Sequence, residues 1–327
     1  MTKYVGLDVH KRTCHATVMD ENGAIIRQEK FLNRTEELDR FFEGMRGAKV
    51  AMEAGYCWQP AYYRLEGMGH EVKLAHPFKT RIIAEAKIKT DASDSEALAQ
   101  LLRLDWLPTS YVPPDGIREL RELVRLHVYL TRERTRFKNK IRSEMNKRGI
   151  EIAGDPFTKR RRPLLRGMEV KAIDSYLEIE VSLYERIKVL ERELKLRAQE
   201  NEDARLLMTI PGVGYFSALA ILAEIGDIDR FPNAEKLCSY VGLVPSLHQS
   251  GATVRLGRIT KQGSAMLRWV LVECSWMHIR NARDTQLKLF FHRISKRKGR
   301  AIAITATARK LLVAVYWMLK RREEFRN

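Results

Sequence analysis

Residues 3–31 read KYVGLDVHKRTCHATVMDENGAIIRQEKF. Two runs, KYVGLDV and TCHATVMD, are short and rich in β-branched or aromatic residues, and Asn22-Gly23 forms the turn pair that leads into a third run, AIIRQEKF. The pattern predicts a three-stranded meander. Downstream, TEELDRFFEGM reads as a helix, AKVAMEA as a strand, PAYYRLEGM as a helix, HEVKLAH as a strand and DASDSEALAQLLRL as a helix. The predicted order is therefore βββαβαβα, with a further helical turn around Phe78 to Ala86.

The acidic residues fall at special places in that order. Asp8 ends the first strand, Glu53 ends the fourth, and Asp91 and Asp94 open the last helix one turn apart on one face. If the first and fourth strands are neighbours, Asp8 and Glu53 meet at one end of the sheet, with the helix start facing them. Four carboxylates gathered there repel one another unless cations lie between them, and hard divalent ions, Mg²⁺ or Mn²⁺, are the expected solution. A pair of such ions clamps the attacking and leaving oxygens in phosphoryl transfer. Taken singly, each residue has a plainer role: Asp91 as an N-cap, Asp94 as a first-turn acid, Asp8 and Glu53 as strand-end residues. His10 reads as a surface histidine before it reads as a ligand.

Composition bounds the rest. Across 327 residues, 59 Lys and Arg outweigh 41 Asp and Glu, giving a formal net charge of +18 that favours a polyanionic partner. With 45% hydrophobic residues the chain folds rather than serving as a basic tail. Cys14, Cys57, Cys238 and Cys274 lack the spacing of a zinc knuckle or disulfide framework, which fits a reducing cytoplasm. The N-terminus shows no apolar signal segment. The stretch Ala301 to Leu319 carries Arg309 and Lys310 at its middle, so it reads as a buried core helix and not as a membrane span.

Between residues 116–147 and again between 173–199, apolar residues recur at three and four, and Tyr176, Ile179, Leu183, Ile187, Leu190 and Leu194 form one stripe. Two such helices make either a hairpin within the chain or a coiled coil between chains. The connection between them holds Lys159, Arg160, Arg161 and Arg162 between Pro156 and Pro163, a solvated loop or a contact to a nucleic-acid backbone. Further on, Ile210-Pro211-Gly212-Val213-Gly214 is a glycine turn opening a helix, which suits phosphate binding by backbone N–H groups and equally suits an ordinary helix connection. Residues 248–263, HQSGATVRLGRITKQG, place Ser250 and Gly251 before Arg255, Arg258 and Lys261. A nucleophilic serine needs an exposed hydroxyl, room for a phosphodiester and charges to hold it; an ordinary turn with a basic grip is the simpler account of the same residues. His248 is a weak base candidate, and Ser246 and Tyr240 are alternative nucleophiles, while Ser239 and Ser264 look helical.

YVGLDVHK, MEAGY and KTDASDSEALA together resemble the DEDD-type, RNase H-like (RuvC-like) domain of the insertion-sequence one-ten family of transposases, relatives of the Piv DNA invertase. The resemblance implies that Asp8, Glu53, Asp91 and Asp94 are a metal-binding tetrad. It also implies that Gly212 and Gly214 lie in a helix-hairpin-helix-like element and that Ser250 is the nucleophile. One departure is Ala54-Gly55-Tyr56 after Glu53, where many relatives carry an added Thr-Gly step. The implied fold class is α/β plus α: a RuvC-like domain over residues 1–110, a helical coiled-coil region over 111–203 and a mostly helical transposase domain over 204–327. The implied partners are donor and target DNA, a guide (bridge) RNA and further copies of the chain as a dimer or tetramer, with the active site assembled between protomers. The rival expectations are a junction-resolving nuclease using metal-activated water and a non-catalytic nucleic-acid-binding protein.

Overall fold

The computed structural model of the chain describes residues 2–83, 91–250 and 253–326, except for the side chains of His248, Ser250, Thr253, Val254 and Leu256. Residues 1–112 form one compact unit and residues 113–327 a second.

The first unit has the order read from sequence: β1 (Tyr4–Val9), β2 (Thr13–Met19), β3 (Ile25–Leu32), α1 (Thr35–Phe42), β4 (Lys49–Glu53), α2 (Trp58–Gly67), β5 (Glu71–Ala75), α3 (Pro77–Ile83) and α4 (Asp91–Arg103). Helix α3 supplies the extra turn expected around Phe78, whose last residues, Ala84 to Ala86, lie outside the described residues. The strands form one sheet in the order β3-β2-β1-β4-β5. Strand β1 pairs antiparallel with β2 and parallel with β4, and β4 pairs parallel with β5, so the first and fourth strands are neighbours. Alternation along β1 sends Val5, Leu7 and Val9 into a core with Leu38, Phe41, Phe42 and Leu65 from α1 and α2. The opposite face, with Tyr4, Ala51 and Ala75, is covered by Leu98 and Leu102 of α4. Helices on both faces bury the inner strands β1 and β4, while the edge strand β3 stays largely exposed.

The second unit begins with α5 (Asp115–Asn146), the short α6 (Arg162–Arg166) and α7 (Lys171–Glu200). Helices α5 and α7 run antiparallel: Glu119 near the start of α5 meets Arg197 near the end of α7 at 3.3 Å, while Ile141 and Met145 at the far end of α5 share a core with Ile173 and Leu177. Phe157 and Leu165 of the connection close that distal core. The buried stripe of α7 is Ile173, Leu177, Glu180, Ile187, Leu194 and Ala198, turned from the stripe expected, with Ile179 exposed. The reason is Glu180. Its carboxylate is fully buried between Arg134 at 2.8 Å and Arg162 at 3.2 Å, so an acidic residue occupies an inward position that apolar periodicity assigns elsewhere.

The near end of this helix pair merges with the remaining elements of the unit. These are α8 (Glu202–Met208), α9 (Tyr215–Ile225), α10 (Ala234–Val241), a hairpin of β6 (Pro245–Ser250) and β7 (Thr253–Ile259), then α11 (Ala265–Asn281), α12 (Gln286–Lys298) and α13 (Arg300–Arg321). Leu120, Val124, Leu194 and Ala198 of the helix pair belong to the same core as α9, α10, α11 and α13. Helix α9 is buried along nearly its whole length, which accounts for its run of Ala, Leu and Ile. Helix α13 is long and apolar enough to cross a bilayer by length and composition, yet Leu311, Leu312, Val315, Tyr316 and Leu319 are packed into this core.

Candidate active site

Gly6 sets the geometry of the carboxylate cluster. It lies on the same face of β1 as Asp8, two residues before it, and a Cβ there would collide with the Ser95 carbonyl and the Ala99 amide of α4. Only glycine lets the helix backbone rest directly on the strand. Ser95, fully buried, locks this contact: its hydroxyl lies 2.8 Å from Thr17 Oγ1 and 3.1 Å from His15 Nδ1, and donates to the Ala92 carbonyl at 3.0 Å. His15 stands opposite Asp8 in the β1–β2 register. The first turn of α4, with Asp91 and Asp94, is thereby held over the end of β1.

Glu53 ends β4, one step beyond the Leu7↔Met52 pairing that aligns β4 with β1. Asp8 is 6% exposed, and burial pushes its carboxyl above the usual range; His10 opposes this, and the charges of Asp91, Asp94 and Glu53 push it further up. All four carboxylates thus act electrostatically on one place, as the strand order anticipates. His10 is an exposed surface histidine, as expected, and it also borders the cluster: its Nε2 lies 3.1 Å from Asp8 Oδ2 and 3.5 Å from Asp91 Oδ1. Lys30 Nζ lies 3.5 Å from the other oxygen of Asp91.

The donor set fits a hard divalent cation. Asp8, His10 and Asp91 offer ligand atoms all within 4.8 Å of one another, and the repulsion that raises the Asp8 carboxyl is relieved by a positive ion placed among them.

In the second unit, Ser250 ends β6, paired in register with Thr253 of β7, and Gly251, expected to give it room, lies outside the described residues. Arg255 and Arg258 are exposed on β7, and Lys261 is exposed just beyond it in a left-handed backbone conformation, φ 54°. The hairpin rises from a fixed base, since the Lys261 N–H donates to the Gly242 carbonyl at the end of α10. Ser264 caps α11 by accepting from the Leu267 N–H at 3.1 Å, and Tyr240 donates to the Glu224 carbonyl at 3.4 Å, so both hydroxyls have structural partners. Ser239 lies within α10 and Ser246 within β6.

The glycine turn divides its two glycines between packing and solvent. Gly212, φ 96°, abuts the α11 backbone at Met277 and His278, and His278 Nδ1 donates to the Pro211 carbonyl at 2.8 Å. Gly214 is the N-cap of α9 and faces open space. In the connection between the long helices, Arg160 and Arg161 lie in the turns before α6, whereas Arg162 is engaged by Glu180 and stacks 5.6 Å from the Tyr184 ring.

Comparison with known proteins resolves the class. Residues 5–147, which contain all four carboxylates, match the DEDD transposase model of IS110 elements, and residues 204–292, which contain Ser250, match the transposase IS116/IS110/IS902 family. This chain belongs to the IS110 family of transposases. It is 27% identical over 336 residues to the transposase for insertion sequence element IS1111A of Coxiella burnetii, covering 99% of this chain and 91% of that one. The transposase for insertion sequence element IS1328 of Yersinia enterocolitica is 26% identical, covering 84% of this chain and 83% of its own. A pilin gene-inverting protein of Moraxella bovis is 24% identical over 98% of this chain and 97% of its own length. Membership of the IS110 family makes the first unit an RNase H-like domain and DNA the substrate. Residue types alone did not reveal Ser95, Thr17 and His15 behind the cluster. Only Gly6, a glycine inside a strand, carried a readable signal of close backbone approach.

Proposed function

We propose that this IS110-family transposase cuts and rejoins DNA through a covalent phosphoserine. The observation that supports the reading is that the charges of Asp91, Asp94 and Glu53 all act on the buried Asp8 at the end of β1, Asp91 and Asp94 through the close Gly6–Ser95 approach of α4 and Glu53 through the pairing of β4 with β1. Ser250 Oγ attacks a backbone phosphorus, its proton passing to a nearby base for which His248 is a candidate. The P–O3′ bond breaks, the departing oxygen takes up a proton, and a free 3′-hydroxyl is left beside a serine-linked 5′-phosphate. Attack of a 3′-hydroxyl on another strand's phosphoserine rejoins the DNA and returns the serine, with no external energy source.

Asp8, Glu53, Asp91 and Asp94, with His10 beside them, would hold Mg²⁺ or Mn²⁺, which when bound stabilises charge on the phosphate oxygens and acidifies a coordinated hydroxyl. Arg255, Arg258 and Lys261, exposed around the hairpin that carries Ser250, hold the phosphate by charge. The α9 N-terminus at Gly214, with Gly212 shaping its turn, and the connection bearing Arg160, Arg161 and Arg162 position the strands; of these arginines, Arg162 acts through its grip on Glu180. The site is chosen by a guide RNA that pairs with donor and target, and the active species is a homo-oligomer. Recombination by the pilin gene-inverting relative supports cutting coupled to rejoining.

The test is a denaturing gel of purified protein with co-purified RNA, matching labelled DNA and Mg²⁺. Wild type is expected to give a protein-linked DNA band that disappears in both Ser250→Ala and Asp8→Asn. Cleaved DNA without an adduct, persisting in Ser250→Ala, would make the enzyme a metal-dependent nuclease that uses water.

A further inference from the structure

One face of α5 carries Arg118, Arg121, Arg125, Tyr129, Arg132 and Arg136 at successive steps of three and four, so these side chains form a continuous row along the helix. Midway along the row, a cavity of about 480 Å³ opens between α5, the end of α9, α10 and the first residues of α11. That volume falls within the range of small-molecule and nucleotide sites. Arg121, Arg125, Tyr129 and Arg132 line one wall, and Ser264 and Ala265 at the α11 N-terminus line another.

The charges in this cavity are arranged to receive an anion. Arg121 is oriented by the chain itself, donating Nε to the Ala223 carbonyl at 2.9 Å and Nη2 to the Glu224 carbonyl at 3.4 Å, both neutral acceptors. Arg125 is held at 3.0 Å by the buried carboxylate of Glu224, which neutralises one of the three arginines and fixes its direction. Arg132 is exposed and reaches the cavity from the helix turn beyond. The first turn of α11 contains no carboxylate, so its backbone dipole adds to the positive field. Tyr129 stands between Arg125 and Arg132, one helical turn from each, with 60% of its surface exposed. An exposed aromatic flanked by arginines is the platform on which an unpaired base stacks, with its phosphates gripped on either side.

We propose that this cavity seats the backbone phosphate of a single-stranded nucleic acid, with an unpaired base stacked on Tyr129. The site deepens the recombination mechanism and rests on it, because guide-directed exchange requires strands held open. It uses neither Ser250 nor the carboxylate cluster. The ligand chemistry, a phosphodiester with an unstacked base, is common to RNA and DNA.

The experiment measures fluorescence anisotropy of labelled single-stranded RNA, single-stranded DNA and blunt duplex DNA with the full-length protein in EDTA. Wild type is compared with Tyr129→Ala, Tyr129→Phe and Arg132→Ala. Tyr129→Ala should weaken single-strand binding about tenfold, the loss of one base stack, while Tyr129→Phe retains it. Arg132→Ala should weaken binding and lower the slope of log affinity against log salt by about one. Duplex binding should change less than single-strand binding in Tyr129→Ala. An effect confined to RNA assigns the cavity to the guide, and one confined to DNA assigns it to an opened target strand. Unchanged single-strand affinity in both Tyr129→Ala and Arg132→Ala would overturn the proposal. Absence of the serine adduct in the cleavage gel, with these binding losses intact, would overturn the recombination mechanism and leave the strand site standing.

Discussion

Gly6 shows how much one residue controls. It has no side chain to contribute, yet it decides how close α4 comes to β1 and therefore whether Asp91 and Asp94 reach Asp8. Gly6→Ala should move the helix outward, cost about 1–3 kcal/mol of stability by overpacking, and abolish metal-dependent cleavage at temperatures where the protein remains folded. Urea denaturation beside the cleavage gel measures both. Retained cleavage in a folded Gly6→Ala protein would mean that the helix approach is irrelevant to the site. His10 is a different case. Its position two residues after Asp8 is visible in sequence, but an alternating strand says nothing about a side chain beyond its end, and only the folded geometry brings its Nε2 to 3.5 Å from Asp91.

At the scale of elements, the α5–α7 pair is organised by a buried charge. Glu180 is held by Arg134 and Arg162, and both guanidinium groups also lie over the Tyr184 ring, at 4.4 and 5.6 Å. Glu180→Ala leaves two cations without their counter-charge and should cost about 3–5 kcal/mol. It should also release the basic connection, seen as faster proteolysis between residues 155 and 167. A variant as stable and as protease-resistant as wild type would show that the ion triad carries no weight. The long helices themselves are legible from periodicity, whereas the rotation of α7 is not, because a buried acid looks like a surface residue to any hydrophobicity pattern. The basic run 159–162 is likewise visible, and its division into an Arg162 paired with the buried Glu180 and an exposed Lys159 and Arg160 is not.

For the whole molecule, histidines largely shielded from water set the response to acid. His70, His127 and His278 all have their protonation pushed down, each first by burial; Glu191 partly opposes this at His127 and the Pro211 carbonyl at His278. A histidine whose folded value lies below its ordinary 6.5 contributes stability that is present above 6.5 and lost as pH falls through the folded value. The high positive charge, which rises further in acid, acts in the same direction. The melting temperature should therefore fall between about pH 7.5 and 5.5, and His278→Asn, which keeps a donor for the Pro211 carbonyl, should lessen the fall. A melting temperature independent of pH over that interval would contradict the assignment.

Local sequence was enough to set the order of elements in the first unit and to place Asp8 and Glu53 at strand ends and Asp91 and Asp94 at a helix start, whereas the pairing of the first and fourth strands, which sequence offered only as a condition, was decided by the fold. The element order and these end positions depend on short-range periodicity and turn chemistry, both written within a few residues of one another. Packing in three dimensions was needed for the Gly6 contact with α4, the Ser95 lock beneath it, the inward turn of Glu180 and the arginine-lined cavity beside α11. Each of these joins residues far apart in the chain, and the identity of the partner depends on how packed helices and strands rotate to fill a shared core, which no local pattern encodes.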